Sequence, residues 1–183
     1  GGKPNTDDSH RPERANPTKK RVILFSPHPD DDVISMGGTF SKLIKQGHEV
    51  HVVYQTSGNI AVTDDEALKF AEVCNDFVGE DESKINFQSV IDFLNNKSED
   101  QVDSLEVRKL KGLIRRRESY AAVRYIGLKD ENTHFLDMPF YETGQVKKNP
   151  IGEADIELVA DIIAKIKPHQ VFAAGDLADP HGT

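Results

Sequence analysis

An apolar tetrapeptide, a helical pattern and a second apolar run constrain the fold more than any other feature of this chain. Val22–Phe25 is a continuous apolar run, which is typical of a strand buried on both faces of a parallel sheet. A helix is predicted across Val33–Gln46, Gly47 ends it, and Val50–Tyr54 has the pattern of the next strand. A strand, a helix and a second strand in this order form a βαβ unit, so an α/β fold is expected.

The remaining hydrophobic patterns predict further helices and two more strands. A capping box at Thr63–Glu66 begins a helix that is expected to end near Phe77. The other predicted helices are Ser83–Asn95, Ser104–Ile126 and Ile156–Lys167, and the short strands are Thr133–Leu136 and Val171–Ala174. The expected fold is a Rossmann-like, mostly parallel sheet with helices on both faces.

Length and charge restrict the number of domains and the class of partner. A chain of 183 residues is long enough for one domain with a buried core. Residues 1–20 are polar and proline-containing, which is typical of a linker or tail, and residues 21–183 are assigned to the domain. The net charge of −8 argues against nucleic acid or an anionic membrane as the main partner, because phosphate contacts need clustered Lys and Arg.

The sequence also bears on location. No apolar stretch approaches the length of a membrane span, and no signal-peptide pattern opens the chain. A cytoplasmic location is therefore expected. Cys74 is the only cysteine, which excludes intrachain disulfides and zinc sites built from several thiolates.

An imidazole and two carboxylates follow the first predicted strand within a few residues. His28, Asp30 and Asp31 lie where the strand ends and the helix begins. A catalytic zinc ion takes three nitrogen or oxygen ligands from the protein and keeps one open position, so His28 and Asp31 are candidate ligands. Asp30 is then a candidate base for water that the metal activates. The alternative interpretation is that Asp30–Asp32 cap the helix, since Asp is common at helix N-termini.

Two other polar loops follow predicted strands. Thr56-Ser57-Gly58 comes after the second strand, and Asp179-Pro180-His181 comes after the last one. Ligands of open α/β sheets bind beyond the carboxyl ends of the strands, so the three loops are expected to converge. His181 is a candidate metal ligand, or an acid that stabilises an oxyanion and protonates a leaving group. The alternative is a loop histidine without a catalytic role.

Taken together, these motifs resemble the LmbE/PIG-L family. The resemblance spans about Arg21 to Thr183 and implies an LmbE-like fold with zinc-dependent deacetylation of N-acetylglucosamine-type amides. It rests on Pro27–Asp32, Gly37-Gly38, Thr56-Ser57-Gly58, Arg116–Glu118 with Ala121-Ala122 and Ile126-Gly127-Leu128, and Asp179-Pro180-His181.

The resemblance implies roles for individual residues. By position, His28 and Asp31 are zinc ligands, Asp30 is the general base, and His181 is the electrostatic and general-acid partner. The family's third zinc ligand is a second His a few residues further on. The domain is therefore expected to be truncated at its C-terminus, with zinc weak or absent in this chain. The family has Glu after its two Asp residues, whereas this chain has Asp32.

Candidate sugar contacts complete the predicted site. They are Arg117, Thr56, Ser57 and Gly58. The run Arg115–Arg117 is followed at once by an acidic residue, so a solvated helix face is its simpler interpretation.

The sequence also looks like the domain that follows a glucosamine-6-phosphate deaminase (NagB-like) domain in some bacteria. That resemblance implies a small-molecule amino-sugar substrate, an upstream NagB-like domain, and a protein name taken from that upstream domain. An alternative function is a sugar-binding or scaffolding domain that has lost catalysis. A nucleotide-binding Rossmann domain is disfavoured, because no Gly-x-Gly-x-x-Gly follows the first strand.

Overall fold

The computed structural model describes residues 17–78 and 87–174. Within these ranges four parallel strands form one sheet in the order β3-β2-β1-β4. The predicted α/β class and parallel sheet are thereby confirmed. The strands are β1 (Arg21–Ser26), β2 (Glu49–Tyr54), β3 (Thr133–Phe135) and β4 (Gln170–Phe172).

The strand register brings the carboxyl ends of β1, β2 and β4 to the same end of the sheet. Ser26 at the end of β1 pairs with Tyr54 at the end of β2. On the other side of β1, Leu24 pairs with Phe172, the last residue of β4. Because all strands run in the same direction, the chain leaves β1, β2 and β4 at the same edge.

In the described residues five α-helices connect the strands, and their bounds agree closely with the hydrophobic patterns. The predicted helix over Ser83–Asn95 is described from Phe87 onward, and its first residues lie outside the described ranges. The helices are α1 (Asp31–Lys45), α2 (Asp64–Val78), α3 (Phe87–Asn96), α4 (Leu105–Ile126) and α5 (Glu153–Ile166). No helix in the described ranges is long and apolar enough to cross a membrane, and the cytoplasmic location stays a prediction.

Different helices pack against the two faces of the sheet, as the continuous apolar run in β1 predicts. Val22 and Leu24 face one side, where Phe40 of α1 and Val123 of α4 pack against them. The alternate residues face the other side and pack against α5; these are Ile23 and Phe25 of β1 and Val53 of β2, in contact with Ile162 and Ile166. Helices therefore cover both faces, which is the predicted architecture.

Helix α4 differs from its predicted apolar stripe. The spacing predicts a buried stripe of Val107, Leu110, Ile114, Ala121 and Tyr125. Val107 and Ile114 are buried, but Ala121 is exposed and Tyr125 is 93% exposed. The second half of the stripe is wrong because α4 packs against α2 and α3 with its first half and against the sheet with its second half. Ser119 and Val123 occupy the buried face there instead.

Helices α2, α3 and α4 pack around a small apolar cluster and a group of four charges, which we call the charge cluster. The Lys111 Nζ lies 2.5 Å from Asp64 and 2.7 Å from Asp103, and the Lys97 Nζ lies 2.8 Å and 2.5 Å from the same two carboxylates. Burial opposes the charge on Asp64, but the hydrogen bonds from Lys111 and Lys97 outweigh it and lower the pKa of that carboxyl group. Each charge thus has two partners of opposite sign.

Candidate active site at the carboxyl end of β1

The turn between β1 and α1 carries the candidate catalytic residues. Asp30 is the N-cap of α1, and its carbonyl oxygen accepts hydrogen bonds from the backbone N–H groups of Val33 and Ile34 at 3.0 and 2.9 Å. Its φ of 119° lies in a region that non-glycine residues rarely adopt. The Asp30 carboxylate makes no capping hydrogen bond to the helix. The capping interpretation therefore does not account for this side chain.

Two of the predicted metal ligands converge in the same turn. The Asp31 Oδ2 accepts the His28 backbone N–H at 2.9 Å and lies 3.2 Å from the His28 Nδ1. Two ligand atoms bound to one tetrahedral zinc ion at about 2.0–2.1 Å are about 3.3–3.4 Å apart. The separation in this turn is that of a direct hydrogen bond and is also close to that value, so the nitrogen and oxygen donors are near enough to occupy two positions around one zinc ion.

A complete ligand set is not found in the described part of the chain. Residues 17–78 and 87–174 contain no group of three His, Cys, Asp or Glu side chains that could hold a metal ion. The predicted partner His181 and its neighbours Asp179 and Pro180 lie outside these ranges. The donor chemistry of His28 and Asp31 therefore accounts for two ligands.

Arg115 of α4 fixes the position of Asp30. Its Nη2 donates to the Asp30 Oδ2 at 2.7 Å and to the carbonyl oxygen of Pro29, and its Nη1 donates to Glu118 at 2.5 Å. The Arg115 side chain is 17% exposed, whereas that of Asp30 is 45% exposed. The planar guanidinium thus holds both the backbone and the carboxylate of the turn while one side of the carboxylate faces solvent.

Asp32 is fully buried beneath the turn. Its Oδ2 accepts a hydrogen bond from the Tyr54 hydroxyl at 2.9 Å, and its backbone N–H donates to the Ser26 Oγ at 2.9 Å. Burial raises the pKa of Asp32, although the hydrogen bond from Tyr54 opposes the shift. Burial also raises the pKa of the Tyr54 hydroxyl, and the neighbouring Asp32 adds to the shift. Asp32 therefore ties the start of α1 to β2.

The loop after β2 lies against the turn, as the sequence predicts. The Thr56 hydroxyl donates to the carbonyl oxygen of Pro27 at 2.8 Å, and the Thr56 side chain is fully buried. A Cβ atom on Gly58 would lie 2.9 Å from the Pro29 Cδ, and the φ of Gly58 is +66°, so only glycine fits there without strain. Ser57, which is 9% exposed, accepts the Asn59 N–H at 3.3 Å. Two of the three predicted loops therefore meet, and the third is outside the described residues.

The segment after β3 forms the other wall of the site. Tyr141 packs the edge of its ring against His28, with 5.6 Å between the ring centroids. Burial raises the pKa of Tyr141 to about 12, and the neighbouring Glu142 charge adds to the shift. The Glu142 carboxylate accepts hydrogen bonds from the Ser57 N–H and the Asn59 side-chain amide at 3.3 and 2.9 Å. Glu142 therefore joins this wall to the loop after β2.

The three consecutive arginines of α4, Arg115–Arg117, contact different groups. Arg115 reaches the turn between β1 and α1, and Arg116 pairs with Asp137 at 2.6 Å. Arg117, the predicted sugar contact, is exposed and lies over the Tyr120 ring at 5.5 Å from its centroid. The structure does not bring Arg117 to the turn, and its contact with a sugar stays a prediction.

The hydrogen bond from Arg115 to Asp30 was not predicted from the sequence, because the two residues are 85 positions apart in the chain. One signal was present. Gly112 lies inside a long helix, and an isolated glycine in that position often marks the close approach of another segment. A Cβ atom on Gly112 would lie 3.5 Å from the Ser57 Cβ, so this glycine faces the loop after β2. Arg115 follows Gly112 by three positions and therefore lies on the same side of α4.

Comparison with known proteins agrees with this geometry. The profile of the PIG-L family, described as GlcNAc-PI de-N-acetylase, matches residues 23–182. The chain belongs to the PIG-L family. That match covers the sheet, the turn and the loops described above, and it confirms the family resemblance found in the sequence.

Two curated relatives extend the comparison. A glucosamine-6-phosphate deaminase-like protein of Bacteroides thetaiotaomicron is 53% identical over the whole of this chain, which spans 28% of that relative's length. The diacetylchitobiose deacetylase of Thermococcus kodakarensis is 43% identical over 47 residues, which are 26% of this chain and 18% of the relative. The chain therefore corresponds to a minor part of a much longer relative and shares a short segment with a sugar deacetylase.

Proposed function

We propose that this chain carries the catalytic site of a zinc-dependent N-deacetylase that acts on an N-acetylglucosamine-type sugar. One observation carries the proposal: His28 and Asp31 present ligand atoms 3.2 Å apart, and the neighbouring Asp30 is held beside them with a solvent-facing carboxylate. Membership in the PIG-L family and the similarity to a diacetylchitobiose deacetylase support the same chemistry.

The proposed reaction is hydrolysis of the acetamide bond. Zinc, when bound, supplies a Lewis acid for the carbonyl oxygen and makes water more acidic. His28 and Asp31 would hold the ion, and Asp30 takes the proton of the water whose oxygen attacks the carbonyl carbon. The C–N bond then breaks, and acetate and the free amine leave.

Other residues of this chain position these groups. Arg115 orients Asp30 through its two hydrogen bonds to the turn. Tyr141 packs against the His28 ring in a T-shaped contact. His181 is proposed, from the family resemblance, to stabilise the oxyanion and to protonate the departing amine.

The longer protein is proposed to combine this site with a deaminase-like domain. The supporting facts are the relative's name and the small share of its length that this chain covers. Under this proposal the deaminase-like name describes a part of the protein outside this chain.

Acetate release tests the proposed function. The protein at its natural length is incubated with N-acetylglucosamine, its 6-phosphate and diacetylchitobiose, with zinc and after removal of zinc by a chelator. The proposal predicts acetate from at least one sugar, loss of the activity on chelation and recovery with added zinc. If the zinc-loaded protein binds the sugars and releases no acetate, the alternative of a sugar-binding module is favoured.

A further inference from the structure

A cavity of about 370 Å³ lies beside the catalytic turn, between α4 and the segment after β3. One face of α4 lines it with alternating apolar and basic side chains. The apolar ones, Leu105 and Leu113, are 70% and 39% exposed. The basic ones are Arg108, Lys109 and Arg116.

The cavity adjoins the site through the loop after β2. Ser57 lines its inner end, and the next residue, Gly58, lies against Pro29 of the catalytic turn. Arg115, on the same helix as the lining residues, holds Asp30. A sugar with its acetamide at Asp30 therefore has this cavity as a neighbouring space for another part of the molecule.

The charges that line the cavity are unevenly paired. Arg116 is paired with Asp137 at 2.6 Å, and the Glu142 carboxylate is occupied by Ser57 and Asn59. Arg108 donates only to the backbone carbonyl oxygen of Glu142 at 3.1 Å, and its Nε has no partner among the described residues. Two cations thus line the cavity without a carboxylate partner in the described ranges, one on Arg108 and one on Lys109.

Both cations line one concave surface, although the chain as a whole has a net charge of −8. The lining carries three basic side chains and two carboxylates, Asp137 and Glu142, so its net charge is positive and it attracts anions. The two leucines suit the apolar face of a sugar ring. The cavity therefore fits an anionic sugar better than a neutral one.

We propose that this cavity binds a negatively charged substituent, a phosphate or a carboxylate, on the N-acetylated amino sugar. Arg108 and Lys109 are the residues that select it. The proposal rests on the proposed function for the location of the acetamide, and it adds the class of substrate. Neutral N-acetylglucosamine leaves the two cations without a partner, so it binds more weakly.

Binding separates this proposal from the proposed function. Calorimetric titrations use the protein at its natural length with Asp30→Asn, which removes turnover. The probes are N-acetylglucosamine, its 6-phosphate and N-acetylglucosaminuronate, and comparison of the last two distinguishes phosphate from carboxylate. The expected result is that at least one anionic sugar binds about tenfold more tightly than the neutral one, with a difference that shrinks at high salt.

Two variants and a control locate the effect. Lys109→Gln and Arg108→Gln are each expected to remove most of the preference for the anionic sugar, and Lys109 is exposed, so its replacement leaves the fold intact. Lys69→Gln, on α2 and outside the lining of the cavity, has a 69% exposed side chain; it is the matched control and is expected to keep the preference. Equal affinity for all three sugars, or a preference that survives both cavity variants, overturns the proposal even if the protein releases acetate.

Discussion

Charged side chains gather in two regions of this molecule, and the regions use them differently. In the proposed catalytic turn between β1 and α1, Asp30 and Arg115 form a pair in which the carboxylate is 45% exposed. In the charge cluster, Lys111 is 5% exposed and Asp103 is 13% exposed, and each has two partners of opposite sign. The same residue types are thus proposed to serve chemistry where one partner faces solvent, and they stabilise the fold where the partners enclose one another.

Asp30→Asn is expected to have the largest effect on activity. Asn retains the size of the side chain and tolerates a positive φ, but it cannot accept the proton from water. Acetate release is expected to fall by about 10²- to 10⁴-fold, and the free energy of unfolding is expected to change by less than about 0.5 kcal/mol, because the pair is partly exposed. Acetate release by the variant that is similar to that of the parent protein would contradict the role of Asp30.

Lys111→Ala is expected to have the largest effect on stability. It leaves Asp103, which is 13% exposed, with Lys97 alone. Loss of one partner from a buried ionic group costs about 3 kcal/mol, measured by urea unfolding of this chain. Lys69→Ala is the control, because its pair with Asp65 is 69% and 77% exposed, and it is expected to cost less than about 0.5 kcal/mol. Similar losses for the two variants would mean that the charge cluster does not stabilise the fold.

Arg115→Lys is expected to lower activity moderately. Lys keeps the charge, but its ammonium group cannot reproduce the planar hydrogen bonds to Asp30 and to the Pro29 carbonyl oxygen. We expect kcat to fall about tenfold with little change in KM, because Arg115 positions the base. Arg124→Lys is the control on the same helix, since Arg124 pairs with the exposed Asp130. A change in KM alone would assign Arg115 to substrate binding instead.

The pH dependence of stability gives the smallest predicted effect and comes from a third group of side chains. The Nε2 atom of His134 in β3 lies 3.0 Å from the Nδ1 atom of His51 in β2. Burial lowers the pKa of His134 to about 4, and the charges of His51 and Lys165 add to the shift. The unfolded chain therefore binds the proton more readily than the folded one. Stability attributable to His134 is complete above about pH 6.5 and is lost as the pH falls toward 4.

His134→Gln tests this pH dependence. The free energy of unfolding is measured for both chains at pH 7.5 and pH 5, and the variant is expected to lose less stability between these values than the parent chain. Identical losses would show that His134 is not the group responsible.

The fold was predictable because its main signals are local. Val22–Phe25 is apolar at every position, and a strand of this kind is buried on both faces. The end of α4 at Gly127 follows from one residue, whose φ is +96°. The burial of α4 was less predictable, because Val107 and Val123 pack against different partners and no single stripe describes both.

The candidate site was predictable in part for the same reason. His28, Asp30 and Asp31 lie within four residues of one another, so their chemistry is visible in the sequence. The hydrogen bond from Arg115 to Asp30 joins residues 85 positions apart, and Gly112 signals a close approach of α4 without identifying Asp30 as the partner. The burial of Lys111 was also hidden, since a lysine between apolar residues of a helix is ordinarily solvated.

The most direct test measures activity and stability together for two variants of the longer protein. Acetate release and the thermal unfolding transition are recorded for Asp30→Asn and Lys111→Ala under the same conditions, with zinc present and at a temperature where both are folded. The account predicts that Asp30→Asn loses acetate release and retains the unfolding temperature, whereas Lys111→Ala lowers the unfolding temperature and retains acetate release. Undiminished acetate release by folded Asp30→Asn protein would contradict the assignment of the catalytic turn.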